Sequence, residues 1–585
     1  MSFRLILSAL FFSLCRADLI PFIQDESYDL GDFGSYPTQD FRSSPLKAPR
    51  VNILQSDPTC TSGSYIFLNP RGHKVPYPNP MILDEAGNLV WTLDGDLYGQ
   101  TYNLNVQEHD GQQYLTFWGG NDAVGGHGEG YYYMLDSSYT QVRRLDAHGP
   151  INGDLHEFRF TDEGTALYTV YGITQMDLSP IGGPTSGWVW DGQIQEIDLK
   201  TGELLFEWKS TDHYSAEDTY HEYVSGGTSS HSPFDYFHIN SIDKDPKGNY
   251  LISARYTHSI TYIDGRTGDI IWQLGGKKNQ FKDLTDGRAT NFAYQHDAHW
   301  HDNYTTVTVF DNGAESGKYT AEYSRGLRIK LDQQRMLAEL QTEYVNPQHI
   351  ISSSQGSLQV LPNGNVLLGY GYNGAFTEFS EDGAVLCDTH FAAASSFESG
   401  DVQSYRALKY KWSATPITSA SINIEGQSVF VSWNGATDVH RWVLQNADYA
   451  DADTHGWYPV QTVERSGFET ELRYGDSVKK YVRVLALDKE GTVLGVSGIG
   501  SARFEKTDQS GIMSTVSIKN ADAVPLLLLV IALGIGSAAT AAVWGVMAWR
   551  KRKEWTKYQH LRGEDAEDVD VETVHLDTRQ FTVRS

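Results

Sequence analysis

The chain has 585 residues, 40% of them hydrophobic and 12% aromatic, which is more than one ordinary domain holds and enough to bury a sizeable core. A formal net charge of −28 lacks the basic field needed to grip phosphate backbones, so no nucleic-acid partner is expected. Cys15, Cys60 and Cys387 are the only cysteines, which excludes zinc-ribbon, iron–sulfur and haem-attachment patterns.

The first segment, "MSFRLILSALFFSLCRADL", sets Arg4 before an apolar run from Leu5 to Leu14 and reaches the small Ala17, the pattern of a secretory signal peptide over 1–17. Its removal leaves Cys60 and Cys387. In an oxidising compartment these can form one disulfide across most of the folded chain; two buried free thiols are the alternative.

A β-rich run, an Asp/Asn/Gly turn and a second β-rich run then recur. The pattern is seen in "MILDEAGNLVWTLDG" at 81–95, "FRFTDEGTALYTVYG" at 158–172, "IQEIDLKTGELLFEWK" at 194–209, "SIDKDPKGNYLISARY" at 241–256, "ITYIDGRTGDIIWQLGG" at 260–276 and "LQVLPNGNVLLGYG" at 358–371. Runs joined in this way are hairpins, and their repetition without alternating helices predicts a propeller rather than a βαβ fold. The expected unit spans 18–408 and has six blades of about four strands each, a closed ring with protected edges. A Cys60–Cys387 bridge would join its first and last blades.

Chemistry-bearing side chains are scattered along these repeats: His156 in "DLHEFRF", His238 and Asn240 in "DYFHINSIDKD", Arg255 in "LISARYTHSITYIDG" and His296 in "YQHDAHW". The inner strands of a propeller line one channel, so residues distant in sequence can meet there. Taken singly, a histidine on a strand is an ordinary hydrogen-bonding group and Arg255 an exposed or salt-bridged one. His213, His221 and His231 fall in a polar stretch read as a loop without a catalytic role, and His299 and His301 flank Trp300 as support or surface.

Taken together, "FHINSIDKDPKGNYLISARYTHSITYIDGRTGDIIWQLGG", then "QHDAHW", then "FDNG" at 310–313, resembles in order and spacing the core of the arylsulfotransferase family, in its fungal-type branch. The resemblance implies a six-bladed propeller. It also implies transfer of a sulfuryl group from a phenolic sulfate ester to a phenol, without a nucleotide donor, by way of a covalent sulfohistidine. On this resemblance His296 is the nucleophile, His238, Asn240 and Arg255 hold sulfate oxygens, and His156 is the remaining channel histidine. One departure bears on the substrate: His299 stands where many relatives carry arginine.

The chemistry is physically reasonable for these groups. A loose in-line transfer asks the protein mainly to position groups and stabilise charge, a neutral imidazole is a competent nucleophile, and a guanidinium offers a fixed fork to two oxygens. His156 would serve as acid and base. No metal or cofactor is expected, and the partners are small aryl sulfates and phenols. Trp300, Tyr294 and Phe237 either stack on an aryl ring or pack the blades. Asn303-Tyr304-Thr305 is a glycosylation sequon that fits an extracellular location.

From 409 to 506 the repeat stops. Runs such as "SINIEGQSVFVSWNGATDVHRWVLQNA", with Trp433 and an Asn434-Gly435 turn, predict a fibronectin type III-like sandwich. A juxtamembrane linker at 507–523 leads to an uncharged span, Val524 to Trp549, followed by Arg550 to Lys553. This predicts a single-pass type I membrane protein whose acidic, disordered tail at 550–585 is cytoplasmic. Gly534, Gly536, Ser537 and Ala538 would let two spans pack as a homodimer.

Two other functions compete. A membrane anchor and a sandwich spacer suit a non-catalytic receptor or adhesion propeller. A "D-x-x-T-G" turn followed by tryptophan, after five residues at 198–208 and three at 264–272, suggests a quinoprotein-type dehydrogenase, which the absence of adjacent cysteines disfavours.

Overall fold

The computed structural model describes residues 17–502 except 94, 96 and 477. The expected signal peptide up to residue 16, linker, membrane span and tail lie outside the described residues. Among the described residues no helix is long and apolar enough to cross a membrane.

Aspartate-led turns join the strands. The Asp84 carboxylate accepts from the N–H groups of Ala86 and Asn88 at 3.0 and 2.8 Å. Asp245 does the same for Lys247 and Asn249 at 2.9 and 3.0 Å, and Asp264 for Arg266 and Thr267 at 2.8 and 3.2 Å. Each carboxylate satisfies amides that a hairpin tip would otherwise strand. In the Asp245 turn Gly248 takes the left-handed corner, at φ +84.

The resulting fold is all-β and propeller-like. Successive antiparallel runs begin at Gln100–His109, Gly153–Phe160, Ile239–Lys244, His296–His301 and Ser357–Val360. These starting strands touch in turn, and Ala407–Tyr410 packs between Ser357–Val360 and Gln100–His109, so the inner strands close a ring.

Closure is reciprocal. Ala407–Tyr410 pairs antiparallel with Tyr65–Leu68 and so completes the first sheet. Asn52–Gln55, from the other end of the chain, pairs with Val385–His390 in the last sheet, and Phe22–Ile23 is added alongside it. The last strand of the ring is thus Ala407–Tyr410. Cys60 and Cys387 form a disulfide beside this closure, linking positions 327 residues apart.

Between neighbouring sheets lie separate apolar cores. Trp208, Tyr214, Phe237 and Ile252 fill one of them, and Trp272, Trp300, Val307 and Leu327 the next. Phe237 and Trp300 are thus packing residues and not aryl-stacking ones, because their rings are spent between sheets.

The C-terminal part consists of two further sheets. Ser421–Glu425, Ser428–Ser432 and Glu469–Arg473 face Tyr458–Glu464, Arg441–Ala447, Tyr481–Leu487 and Val493–Val496 across a core that includes Trp433, Trp442 and Val484. It docks on the ring through the 434–435 turn. The Asn434 amide exchanges bonds with Thr92 at 3.1 and 2.8 Å, and Gly435 N–H donates to the Val90 carbonyl at 2.8 Å. A Cβ on Gly435 would lie 2.3 Å from the Tyr139 ring, so only glycine admits this approach.

Candidate active site

His296 opens the strand His296–His301, where a β-bulge between His296 and His299 re-aims the side chains. The preceding residue anchors it. Gln295 is fully buried, and its amide donates to Ser253 Oγ and to the carbonyls of Ala254 and Ser259 at 3.0–3.1 Å.

The tautomer of His296 follows from its neighbours. Asn312 donates its amide hydrogens to the carbonyls of Ser352 and Gln355 at 2.9 and 2.8 Å, so its Oδ1, 2.7 Å from His296 Nδ1, must accept. The ring hydrogen therefore sits on Nδ1, and Nε2 carries the lone pair, toward which Gln355 N–H donates weakly at 3.3 Å. Burial, then the Arg255 guanidinium, push the His296 pKa well below the usual imidazole value, against the pull of Asn312. The ring is neutral.

A cavity of about 280 Å³ brings His296, His156, His238 and Arg255 together with Arg71, Tyr102, Gln355 and Tyr405. The His156 and His238 rings lie 4.7 Å apart, and Tyr405 stands between them and His296, 5.7 Å from His156 and 6.3 Å from His296. His156 Nδ1 pairs with Asp154 at 2.7 Å and His238 Nδ1 with Asp235, which leaves Nε2 of each ring for the cavity. Burial pushes His238 down to about 3, although Asp235 pulls the other way. His238 holds a left-handed backbone at φ +57, a conformation costly for a non-glycine residue and frequent at functional sites.

Two guanidiniums face the same space. Arg255 donates to the Ser353 carbonyl at 2.7 Å while its Nε is buried without a partner. Arg71 donates to Gln355 Oε1 at 2.9 Å and lies over the Tyr102 ring at 4.4 Å. Arg71, Tyr405, Gln355 and the nearby His127 were not singled out in the sequence. They come from short strands and loops with no motif of their own, and only "FDNG" hinted at Asn312.

Asn240 requires a correction. It does not line the cavity: its amide donates to the Gln295 carbonyl at 2.7 Å, and its own carbonyl accepts from Arg406 at 3.4 Å. It pins the peptide ahead of His296, with one amide hydrogen given to that peptide's carbonyl.

Behind the cavity lies a charged lattice. Arg406 makes two bonds to Glu157, at 2.9 and 3.0 Å, and its Nε is 3.0 Å from Asp297. His299 is 3.0 Å from Asp297 and 3.6 Å from Asp243. Burial and Arg159 oppose its charge, but the two carboxylates prevail and raise it to about 9. The two carboxylates thus favour the charged form of His299, while Arg159 Nη1, 3.2 Å from its Nδ1, can only donate and favours the neutral one.

The remaining histidines and the sequon lie apart from this cavity. His221 pairs with Glu315 at 2.9 Å and His213 stacks on Trp208 at 5.0 Å, so this segment is packed despite having few strands. Tyr294, buried at the rim, has its ring 5.9 Å from the Arg255 guanidinium. Asn303 is exposed on the hairpin turn after His301.

Residues 105–392 match the family described as "Arylsulfotransferase (ASST)", a segment that contains His296, His156, His238 and Arg255 but not Arg71 or Tyr405. No curated protein matches the chain. Among solved structures, a protein of unknown function from Bacteroides caccae aligns at 13% identity and TM-score 0.34, covering 60% of this chain and 99% of its own. The β-propeller domain of Cps50 (Swd1) from Myceliophteria thermophila aligns at 9% identity and TM-score 0.29, covering 59% and 95%. Regucalcin, a calcium-binding protein from Agrobacterium tumefaciens, aligns at 12% and 0.25, covering 62% and 88%.

Proposed function

We propose that the protein is an arylsulfotransferase-like enzyme that moves a sulfuryl group from a phenolic sulfate ester to a phenol through a covalent adduct on His296. The carrying observation is the fixed tautomer: Asn312 holds the hydrogen on Nδ1, so the neutral ring presents its Nε2 lone pair in a cavity that also holds two arginines.

In the first half-reaction Nε2 forms the N–S bond as the ester S–O bond breaks, and the phenolate leaves with the electron pair. His156, held by Asp154 through Nδ1–H and entering the step with Nε2 also protonated, gives that oxygen the Nε2 proton. In the second half His156 takes the proton of the acceptor phenol, whose oxygen bonds to sulfur while the N–S pair returns to Nε2. Arg255 and Arg71 hold the peripheral oxygens, where each donor is worth roughly 100- to 1000-fold in rate, and His238 lines the cavity beside them. Asn240, expected in this role from the sequence, lies outside the cavity lining and bonds the Gln295 carbonyl that precedes the nucleophile.

The same proposal takes the starting strands and the C-terminal closing strand as six blades, the C-terminal sheets as a fibronectin type III-like spacer, 524–549 as a type I anchor and Asn303 as a glycan site on the extracellular side. The test is incubation of the full chain with 4-nitrophenyl or methylumbelliferyl sulfate and excess phenol. Repeated turnover that requires the acceptor and is abolished in His296→Ala is expected, with one chromophore released and one sulfuryl group left on the His296 peptide per chain in its absence. A silent wild type across a panel of aryl donors, or a fully active His296→Ala, overturns the reading and favours a non-catalytic receptor.

A further inference from the structure

We propose that His127, Asp235 and His238 form a binding site for a divalent transition-metal ion, zinc by preference, in the wall of the active-site cavity. The sulfuryl chemistry itself needs no metal, so this goes beyond the function proposed above and does not rest on it.

The geometry comes first. One ligand atom from each residue lies within 4.8 Å of the others. His127 Nε2 is 3.0 Å from Asp235 Oδ2, the oxygen that also meets His238 Nδ1. Ligands bound tetrahedrally at about 2.0–2.1 Å stand about 3.3 Å apart, so small shifts would seat an ion among these atoms.

Unmet bonding capacity is the second observation. His127 is 1% exposed, its Nε2 meets only Asp235 Oδ2, its Nδ1 is buried without a partner, and Asp235 Oδ1 is also buried and unpartnered. Such groups are costly to leave bare. A second cluster shares His127 but fits worse, because Asp154 is already saturated by Gly128 N–H, His156 and Thr169.

Charge points the same way. Asp154 is buried and Asp235 half-buried, and among the described residues neither carboxylate bonds a lysine or arginine. The third acidic cluster, Glu157–Asp297–His299, is by contrast already compensated by Arg406. Two uncompensated carboxylates beside an oxyanion cavity call for a cation. Two imidazoles and one carboxylate suit zinc or a similar first-row ion and not magnesium or calcium, and three protein ligands leave a position open. A separate cavity of about 270 Å³, lined by His127, Asn152, Tyr171 and Trp190, offers entry.

There is a chemical consequence for His238. In the pairing with Asp235 its Nδ1 carries the hydrogen and Nε2 offers the cavity only a lone pair. An ion on Nδ1 moves the hydrogen to Nε2 and makes the ring a donor to an oxyanion.

The full-length chain, stripped with a chelator, is titrated with Co(II), and binding is read by visible d–d absorption and by metal analysis after gel filtration. One bound ion is expected, weakened at least about 100-fold in His127→Ala and in Asp235→Asn and unchanged in His296→Ala. Zinc should displace the cobalt. Absence of bound Co(II) in the wild type at about 100 μM metal, or unchanged affinity in His127→Ala, overturns the proposal. The wild-type measurement decides by itself even if a variant misfolds. Because His296→Ala removes the nucleophile and keeps the metal ligands, failure here is distinct from failure of the sulfuryl-transfer reading.

Discussion

His296 Nδ1 lies 2.7 Å from Asn312 Oδ1, and because both hydrogens of the Asn312 amide are given to carbonyls, this contact admits one direction of donation. The pair thus selects the nucleophilic nitrogen before any substrate arrives. Asn312→Leu should lower the rate of sulfuryl transfer about 10- to 100-fold, the range found for groups that orient a reactive histidine from behind. Asn312→Asp should restore the acceptor and, by its charge, move the acidic limb of the kcat pH profile upward. Steady-state kinetics of both variants across pH measure this.

The buried histidines give a stability profile with two limbs. Burial pushes His258 and His301 down to about 4 from an ordinary value of 6.5, so the unfolded chain gains protons first and stability falls as pH drops from about 6.5 to 4. His299 is opposite: at about 9, its stabilisation is fully present below 6.5 and is lost as pH rises through 9, up to about 3 kcal/mol. His299→Arg should remove the alkaline limb and leave the acidic one. Thermal melts between pH 4 and about 10 read both limbs.

Glu157 and Arg406 form a two-bond pair with both side chains almost entirely buried, between the cavity and the charged lattice. Removing one partner strands a buried charge. Arg406→Met should cost about 3–5 kcal/mol, while Glu157→Gln with Arg406→Met should recover part of that loss. A double-mutant cycle by chemical denaturation gives the coupling.

A non-reducing peptide map should recover Cys60 and Cys387 in one linked pair. Cys387→Ser should lower stability by about 2–5 kcal/mol, since the bridge removes the entropy of a very long open loop from the unfolded chain. Two free thiols in the map would exclude the bridge.

Much of the ring was legible because its turns are local: Asp84, Asp245 and Asp264 each satisfy amides two to four residues away, a device visible in sequence. The cavity was legible where function sits in contiguous motifs, as with His238, Arg255 and His296. It was not where partners are distant. Nothing in "HIN" reveals that the Asn240 amide is consumed by the carbonyl of Gln295, 55 residues on. Arg71 and Tyr405 reach the cavity from opposite ends of the chain, a position that only ring closure creates. His299 read as a departure from arginine, and its surrounding carboxylates, which favour its charged form, come from its own strand and from Asp243, 56 positions earlier.

Ala407–Tyr410 supplies the neighbour that Tyr65–Leu68 needs. During synthesis at roughly 5–20 residues per second, the earlier strand must wait tens of seconds for its partner. Over that interval its amides and carbonyls form an open template, ready to accept any extended segment nearby. Biogenesis of this protein should therefore depend on chaperones more than its finished form suggests, and truncations just before residue 407 should aggregate even though every cavity-lining residue has by then been made.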